Sequence, residues 1–400
     1  MSFTPDPNDL LPLAKAHGTP LYVYRADSIR DQVASLREAF QELPATFFYA
    51  CKALTNVHVL RYMHGLGCNI DCSSINEVRL ALLAGYRPEQ VLYTSNGIAF
   101  TEIEAAADQG VHINIDSLSN LEKFGKRYGA RYPVGIRIRP NILAGGNLKI
   151  STGHASSKFG IPVEQLPAVH RLRQDYGLQI HVLHVHTGSD IKDPDVFIQG
   201  IQVLFDLVPQ FPDLKALDLG GGFKVPYRPQ ETGTDLPELG KKLRQALDHR
   251  PEAAHLQLWF EPGKFLVSSC GYLLAQVTVL KDAGQTVFAS VDTGFNHLIR
   301  PMFYDAYHHV VNLSNPAGPV RTYTITGNIC ETDTFAADRD VAELREGDIL
   351  AFCNAGAYGY EMASNYNARL RPAEVFITGQ GPKLIRRRDT LEDLLRNQSC

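Results

Sequence analysis

The sequence predicts an α/β barrel of eight parallel, TIM-like strands joined to a mainly antiparallel β domain. Three observations predict it. From about residue 46 onward, eight short β-rich runs alternate with longer amphipathic stretches, the pattern of parallel strands with crossover helices. Each run leads to a residue able to do chemistry, and barrel enzymes place their sites at the C-terminal ends of the strands. After Gly263 the helical stretches give way to strand-like runs with short, turn-rich connections.

In chain order the runs are Phe47–Ala50, Cys68–Asp71, Val91–Thr94, His112–Ile115, Val134–Arg139, Ile180–His186, Ala216–Leu219 and Leu256–Phe260. Between them, apolar residues recurring at three and four mark helices, as over Asn76–Leu83 and Val196–Val208. An open doubly wound sheet usually carries a dinucleotide fingerprint after its first strand, and none stands there. The runs lead in turn to Lys52, Asp71, Ser95, Asp116, Arg137 or Arg139, His186, the Gly220-Gly221-Gly222 loop and Glu261. In the second half, Tyr272–Leu280, Val287–Val291, Arg321–Ile325 and Asp348–Phe352 read as strands, and Pro20–Tyr24 is a strand the N-terminal segment can donate to them. The expected boundaries are 26–265 for the barrel, with 1–25 and 266–400 forming the β domain.

Composition narrows the function classes. The 400 residues are 44% hydrophobic and 20% charged, which argues against disorder. A formal net charge of -4 without a large basic block makes nucleic acid a poor partner. The Arg386-Arg387-Arg388 run reads as a solvated flank of the last helix. No segment approaches the ~20 apolar residues of a membrane span, and the start lacks the basic-then-apolar pattern of an export signal. Seven scattered cysteines without a C-x-x-C pair point to a reduced, cytoplasmic chain with no metal set. No internal repeat or low-complexity segment is visible.

Several residues could carry chemistry. Lys52 is either a charge where a strand surfaces or a Schiff-base lysine, whose free amine attacks a carbonyl once burial lowers its pKa. Gly220-Gly221-Gly222-Phe223 is by itself a tight turn, but its place after the seventh strand is where barrels bind phosphate through bare backbone N–H groups. Glu261, after the eighth strand, is a surface group, a general base or the partner of a pyridine nitrogen. His184 and His186 share one strand face. That pair reads as two ligands of a metal hydrolase, with His297, His308 and His309 too far off to complete the set, or as a ring stacked on a flat cofactor, with His184 a satisfied core histidine. Cys330 beside Glu331 is inert packing unless it faces another site as a proton donor.

Together these residues resemble the pyridoxal-phosphate decarboxylases that pair an alanine-racemase-like barrel with a β domain, most closely the branch acting on diaminopimelate. The likeness runs through Tyr49-Ala50-Cys51-Lys52-Ala53, Lys158-Phe159-Gly160-Ile161, His186-Thr187-Gly188-Ser189, Gly220-Gly221-Gly222-Phe223 and Glu261-Pro262-Gly263. It continues through Asp292-Thr293-Gly294-Phe295-Asn296, Leu298-Ile299-Arg300-Pro301, Tyr304-Asp305-Ala306-Tyr307, Cys330-Glu331, Gly356-Ala357-Tyr358-Gly359 and Asn365-Tyr366-Asn367-Ala368-Arg369. The resemblance implies pyridoxal 5'-phosphate joined to Lys52, stacked on His186, with Glu261 at its ring nitrogen. It implies a phosphate held by Ser189, Gly221, Gly222, Gly263 and Tyr358. Arg300, Tyr304, Glu331 and Tyr358 would bind the substrate's distal end, and Cys330 would donate a proton.

The resemblance further implies a homodimer whose neighbouring subunit supplies Cys330-Glu331, and decarboxylation of meso-2,6-diaminopimelate to L-lysine as the last step of lysine biosynthesis. Carboxynorspermidine or another basic amino acid is the alternative substrate. One departure concerns Lys264, which follows Glu261-Pro262-Gly263 where the family commonly has arginine. Lysine keeps the charge but loses the two-pronged fork, so the same substrate-binding role with looser geometry is expected. Cys51 likewise replaces the aromatic residue expected beside the cofactor lysine, a packing variation.

Overall fold

The computed structural model describes residues 5–140 and 157–399. The chain divides into two compact units. One holds the N-terminal residues through Asp31, the short piece Pro226–Glu231 and everything from Leu266 on, and the other holds Gln32–Val225 and Thr232–Phe265.

Strand β1 (Leu21–Arg25) comes first in the chain. The second unit then supplies β2 (Ala45–Ala50), β3 (Asn69–Cys72), β4 (Val91–Thr94), β5 (His112–Ile115), β6 (Val134–Arg139), a two-residue β7 (Ile161–Pro162), β8 (Ile180–His184), β9 (Ala216–Asp218) and β10 (Gln257–Phe260). Pairing runs β2-β3-β4-β5-β6-β8-β9-β10 and returns to β2, all parallel, so eight strands close a barrel and β7 lies beside β6. The eight sequence runs and the eight barrel strands coincide to within two residues at either end.

Local chemistry sets the crossover helices. Ile75–Ala84 starts where the Ser74 hydroxyl accepts the Glu77 N–H and stops at Gly85, which takes the left-handed φ of 106°. Pro194–Leu207 starts at an Asp193 cap with proline in its first turn. Around the barrel, Phe40 packs on Phe260 with ring centroids 4.9 Å apart and on Phe223 at 6.2 Å. Each such ring, fully buried, is worth about 1.5–3 kcal/mol.

The other unit adds β11 (Gly271–Asp282), β12 (Val287–Val291), β13 (Val310–Asn312), β14 (Val320–Thr326), β15 (Thr334–Ala342), β16 (Ile349–Phe352), β17 (Ala373–Thr378) and β18 (Gly381–Arg386). Its sheet order is β15-β14-β12-β11-β1-β17-β18, mostly antiparallel, with β16 joining β11 to β13. Leu21 pairs with Leu274, and the buried face of β1 joins Leu10, Leu13, Leu313 and Val375 in one core.

Here one expectation is corrected. The Arg386-Arg387-Arg388 run is not simply a solvated flank. Arg386 ends β18 and pairs with the fully buried Glu374 of β17, and Arg388 donates to the Pro20 carbonyl. Only Arg387 behaves as read, meeting Asp393 of the last helix. A buried carboxylate demands a counter-charge, and that outweighs the tendency of arginine to seek water.

Candidate active site

Lys52 occupies the single turn Cys51–Ala53 that follows β2. Because Ala50 faces Asp71 across β2 and β3, the turn brings Lys52 Nζ to 2.9 Å from Asp71 Oδ2. Asp71 is fully buried, whereas the lysine side chain is 41% exposed. The amine is thus anchored from the protein side and reachable by an incoming aldehyde.

Glu261 is the first residue after β10 and is buried. Its carboxylate lies 3.5 Å from Thr94 Oγ1 and 3.5 Å from His184 Nε2. Asp218, the last residue of β9, accepts from Gly220 N–H at 3.0 Å and from Asn114 Nδ2 at 3.2 Å. Burial, then the charges of Asp218 and Asp71, hold the Glu261 carboxyl well above the usual carboxylate range. Burial likewise pushes Asp218 up to about 7. Two carboxyl groups this reluctant to ionise call for a cation beside them. A protonated pyridine nitrogen is such a cation.

His184 corrects its reading as a satisfied core histidine. It is fully buried, and among the described residues neither ring nitrogen has a hydrogen-bond partner. Burial, then Arg137, holds it neutral, well below its ordinary value. One ligand atom each from His184, Asp218 and Glu261 lies within 4.8 Å of the others, so the histidine that converges with carboxylates is His184, with His186 outside that set. Arg137 is buried in β6, its guanidinium 4.7 Å from the Phe159 ring centroid.

His186 accepts the Gly221 N–H on Nδ1 at 3.3 Å. Burial, Arg137 and Lys52 bring its pKa down to about 3, so the ring is flat and uncharged at neutral pH. The glycine loop is closely laced to its neighbours. Glu261 N–H donates to the Gly220 carbonyl at 2.7 Å, and Ile191 N–H to the Gly222 carbonyl at 2.9 Å. A Cβ on Gly221 would stand 2.4 Å from the Glu261 carbonyl oxygen, and one on Gly222, whose φ is +92°, 2.1 Å from that of Gly188. Only glycine fits such an approach. Ser189 is half-buried in the facing loop. Lys264 Nζ meets Asp190 Oδ1 at 2.5 Å. An accessible amine, a neutral ring, buried acid and a bare-backbone turn fit pyridoxal phosphate.

The remaining expected residues belong to the other unit. Arg300 opens the turn Arg300–Tyr304, is buried, and donates to Tyr227 Oη at 2.6 Å and the Ala357 carbonyl at 3.3 Å. Its Nε is buried and has no partner among the described residues. Tyr304 ends that turn, and Tyr358 stands at φ 55° in the Gly356–Gly359 loop. Cys330 and Glu331 are exposed, so Cys330 is not inert packing. Asn367 clamps that cysteine: its Oδ1 accepts the Cys330 N–H at 2.9 Å and its Nδ2 donates to Sγ at 3.0 Å. Tyr366 Oη donates to Glu331 Oε1 at 2.8 Å.

Sequence reasoning gave no role to Asp218, Asn114, Asp190, Tyr227 or Asn367. Asp218 and Asn114 did leave a signal. Asp218 ends and Asn114 interrupts a buried strand, and a polar group buried there is costly unless it has work to do. The others reach their partners through tertiary contacts that no local pattern announces.

A lysine held by a buried acid, a neutral histidine and a bare-glycine turn on a (β/α)8 barrel suit a pyridoxal-phosphate enzyme. Residues 26–268 match the family described as "Pyridoxal-dependent decarboxylase, pyridoxal binding domain". The chain is 37% identical over 403 residues to the diaminopimelate decarboxylase of Methanothermobacter thermautotrophicus, covering 98% of this chain and 94% of that one. It is 36% identical to that of Pseudomonas fluorescens, covering 97% and 94%. The crystal structure of diaminopimelate decarboxylase from Helicobacter pylori, complexed with L-lysine, superposes with a TM-score of 0.90 at 31% identity, covering 96% of this chain and 98% of that one. The chain belongs to the diaminopimelate decarboxylase family.

Proposed function

We propose that the protein removes the carboxylate from the D-configured centre of meso-2,6-diaminopimelate, giving L-lysine and carbon dioxide as the last step of lysine biosynthesis. The observation that carries this is Lys52, anchored on Asp71 and set among His186, Glu261 and the glycine loop. When bound, pyridoxal 5'-phosphate supplies an aldehyde that captures the substrate amine and a ring that accepts the electrons carbon dioxide leaves behind.

The chain's own residues do the rest. Lys52, oriented by Asp71, would hold the cofactor through its amine. Glu261, with Asp218 beside it, would favour a proton on the ring nitrogen. The neutral ring of His186 would stack on the cofactor. Backbone N–H groups of Gly221, Gly222 and Gly263, with the Ser189 and Tyr358 hydroxyls, hold the phosphate. Arg300 offers a fork for the substrate's distal carboxylate, Glu331 takes the neighbouring ammonium, and Tyr304 and Tyr358 complete that end. Cys330 delivers a proton to the α-carbon. In domain terms, 26–265 is the cofactor barrel and 1–25 with 266–400 the β domain.

We further propose a homodimer in which Cys330 and Glu331 serve the site of the partner subunit. Both are exposed, and Met302, Phe303 and Tyr366 of the same unit are large apolar side chains left in solvent, as expected of a surface that another copy covers. A cytoplasmic setting suits free thiols such as Cys51, Cys72 and Cys330. Among the described residues no helix is long and apolar enough to cross a membrane.

The test is a substrate panel scored for carbon dioxide, with meso-diaminopimelate beside ornithine, arginine, lysine and carboxynorspermidine. Release from meso-diaminopimelate is expected to exceed the others by orders of magnitude, since a site built around a charged group rejects analogues lacking it by up to ~10⁴–10⁵. Preference for carboxynorspermidine would overturn the substrate assignment. A chelator is expected to leave activity intact.

A further inference from the structure

Lys264 is a residue to which the family resemblance gives a substrate-binding role, and its placement points elsewhere. Its ammonium lies 2.5 Å from Asp190 Oδ1, and the lysine side chain is only 10% exposed. Asp190 stands at φ 62°, a left-handed conformation uncommon outside glycine, asparagine and aspartate. It directly follows Gly188-Ser189 and precedes Ile191. Ile191 N–H bonds the Gly222 carbonyl, and Ile191 also bridges to Phe223. Thr234 Oγ1 closes the other side, donating to the Ile191 carbonyl at 2.6 Å.

Three chain segments therefore meet at this ion pair. The loop after β8 carries Ser189 and Asp190, the loop after β9 carries Gly222, and the segment after β10 carries Gly263 and Lys264. All three line the proposed phosphate cradle. We infer that Lys264 is a positioning residue of that cradle: its charge is committed to Asp190 and pins the 187–191 loop against Gly222, instead of gripping the substrate. The inference rests on the cofactor reading above and refines it. Physically, the pair offsets the unfavourable backbone at Asp190 and fixes where Ser189 points. An ammonium already neutralised by a carboxylate in near contact is a weak attractor for a second carboxylate.

The experiment is a double-mutant cycle on the full-length protein with Lys264→Met, Asp190→Asn and both together, read as cofactor dissociation constant and as KM for meso-diaminopimelate at saturating cofactor. Each single change is expected to weaken cofactor binding about tenfold, with the double change no worse than either single, because both remove one contact. KM is expected to stay within about twofold, and Lys264→Arg to restore binding. A Lys264→Met variant with raised KM and unchanged cofactor affinity, beside a silent Asp190→Asn, would overturn the inference.

Hydrogen exchange of the unloaded protein with and without inorganic phosphate gives a second readout. Wild type is expected to gain protection over 187–191, and Asp190→Asn to lose that gain while the barrel strands stay protected. Equal protection in the two proteins would also overturn it. Failure of wild type to bind pyridoxal phosphate at all would instead remove the underlying cofactor reading.

Discussion

Lys52 Nζ lies 2.9 Å from Asp71 Oδ2, and the residues flanking that ion pair, Cys51 and Cys72, place their sulfurs 4.0 Å apart. Register is the cause, since β2 and β3 run parallel with Ala50 opposite Asp71. The buried acid orients an amine whose side chain is 41% exposed. Asp71→Asn keeps the shape and removes the charge. It is expected to lower kcat/KM by about tenfold or more, on the order of 1.4 kcal/mol, while Lys52 still takes up the cofactor. Steady-state kinetics beside the visible spectrum check this, and full activity would show that Asp71 orients nothing.

Gly222→Ala places a methyl group 2.1 Å from the Gly188 carbonyl oxygen at a φ of +92°. The two loops must separate, and the N–H groups proposed to hold the phosphate separate with them. Cofactor affinity is expected to fall more than tenfold with modest loss of thermal stability, of order 1–3 kcal/mol for one strained residue. Titration with pyridoxal phosphate measures the first and calorimetry the second.

Arg300 donates to Tyr227 Oη at 2.6 Å and keeps a buried Nε with no partner among the described residues. That spare donor suits a carboxylate. Arg300→Ala is expected to raise KM for meso-diaminopimelate about a hundredfold, in line with the 2–5 kcal/mol that losing one partner of a buried charge pair costs. Tyr227→Phe is expected to do much less, because the Ala357 carbonyl still holds the guanidinium. Unchanged kinetics in Arg300→Ala would displace the distal-carboxylate assignment.

Two buried histidines of the β unit set an acid limit on stability. Burial, then Arg388, brings His297 down to about 4, and burial, then Arg300, brings His308 down to about 3. In the unfolded chain both take a proton near 6.5. Between those values the unfolded state binds more protons, so stability falls as pH drops below about 6.5, by about 1.4 kcal/mol per pH unit per histidine, and the loss levels off below the folded values. His308→Asn offers its amide Nδ2 as donor to the Cys353 carbonyl in place of the histidine Nδ1. Urea unfolding across the acid range is expected to show a shallower slope for this variant; an identical slope would remove His308 from the account.

The barrel was legible in the sequence because parallel strands buried on both faces are short, apolar and regularly spaced, and because glycine and charge punctuate their ends. Position singled out Lys52, Glu261 and the glycine loop as candidates, while their roles came only from the family resemblance. The β unit was less open. Thr334–Ala342 carries Asp338, Arg339 and Asp340 at its centre and pairs only with β14 in the main sheet order, so its polar face hides the alternation expected of a strand. Gly381–Arg386 begins Gly-Pro, a turn signal that an edge strand can tolerate. The pairings of Arg386 with Glu374 and of Lys264 with Asp190 join residues 12 and 74 apart in the chain, and nothing local to either partner announces the other. Asp218 differs in part: a carboxylate ending a buried strand marks it locally, but its partner Glu261 emerges only when the barrel closes.

Reduction of the cofactor-loaded protein with borohydride, followed by peptide mass mapping, tests the central claim most directly. The account predicts a pyridoxyl group on Lys52 alone, within the peptide that carries Cys51 and Ala53. A label on Lys264 or any other lysine, or no label at all, would contradict it.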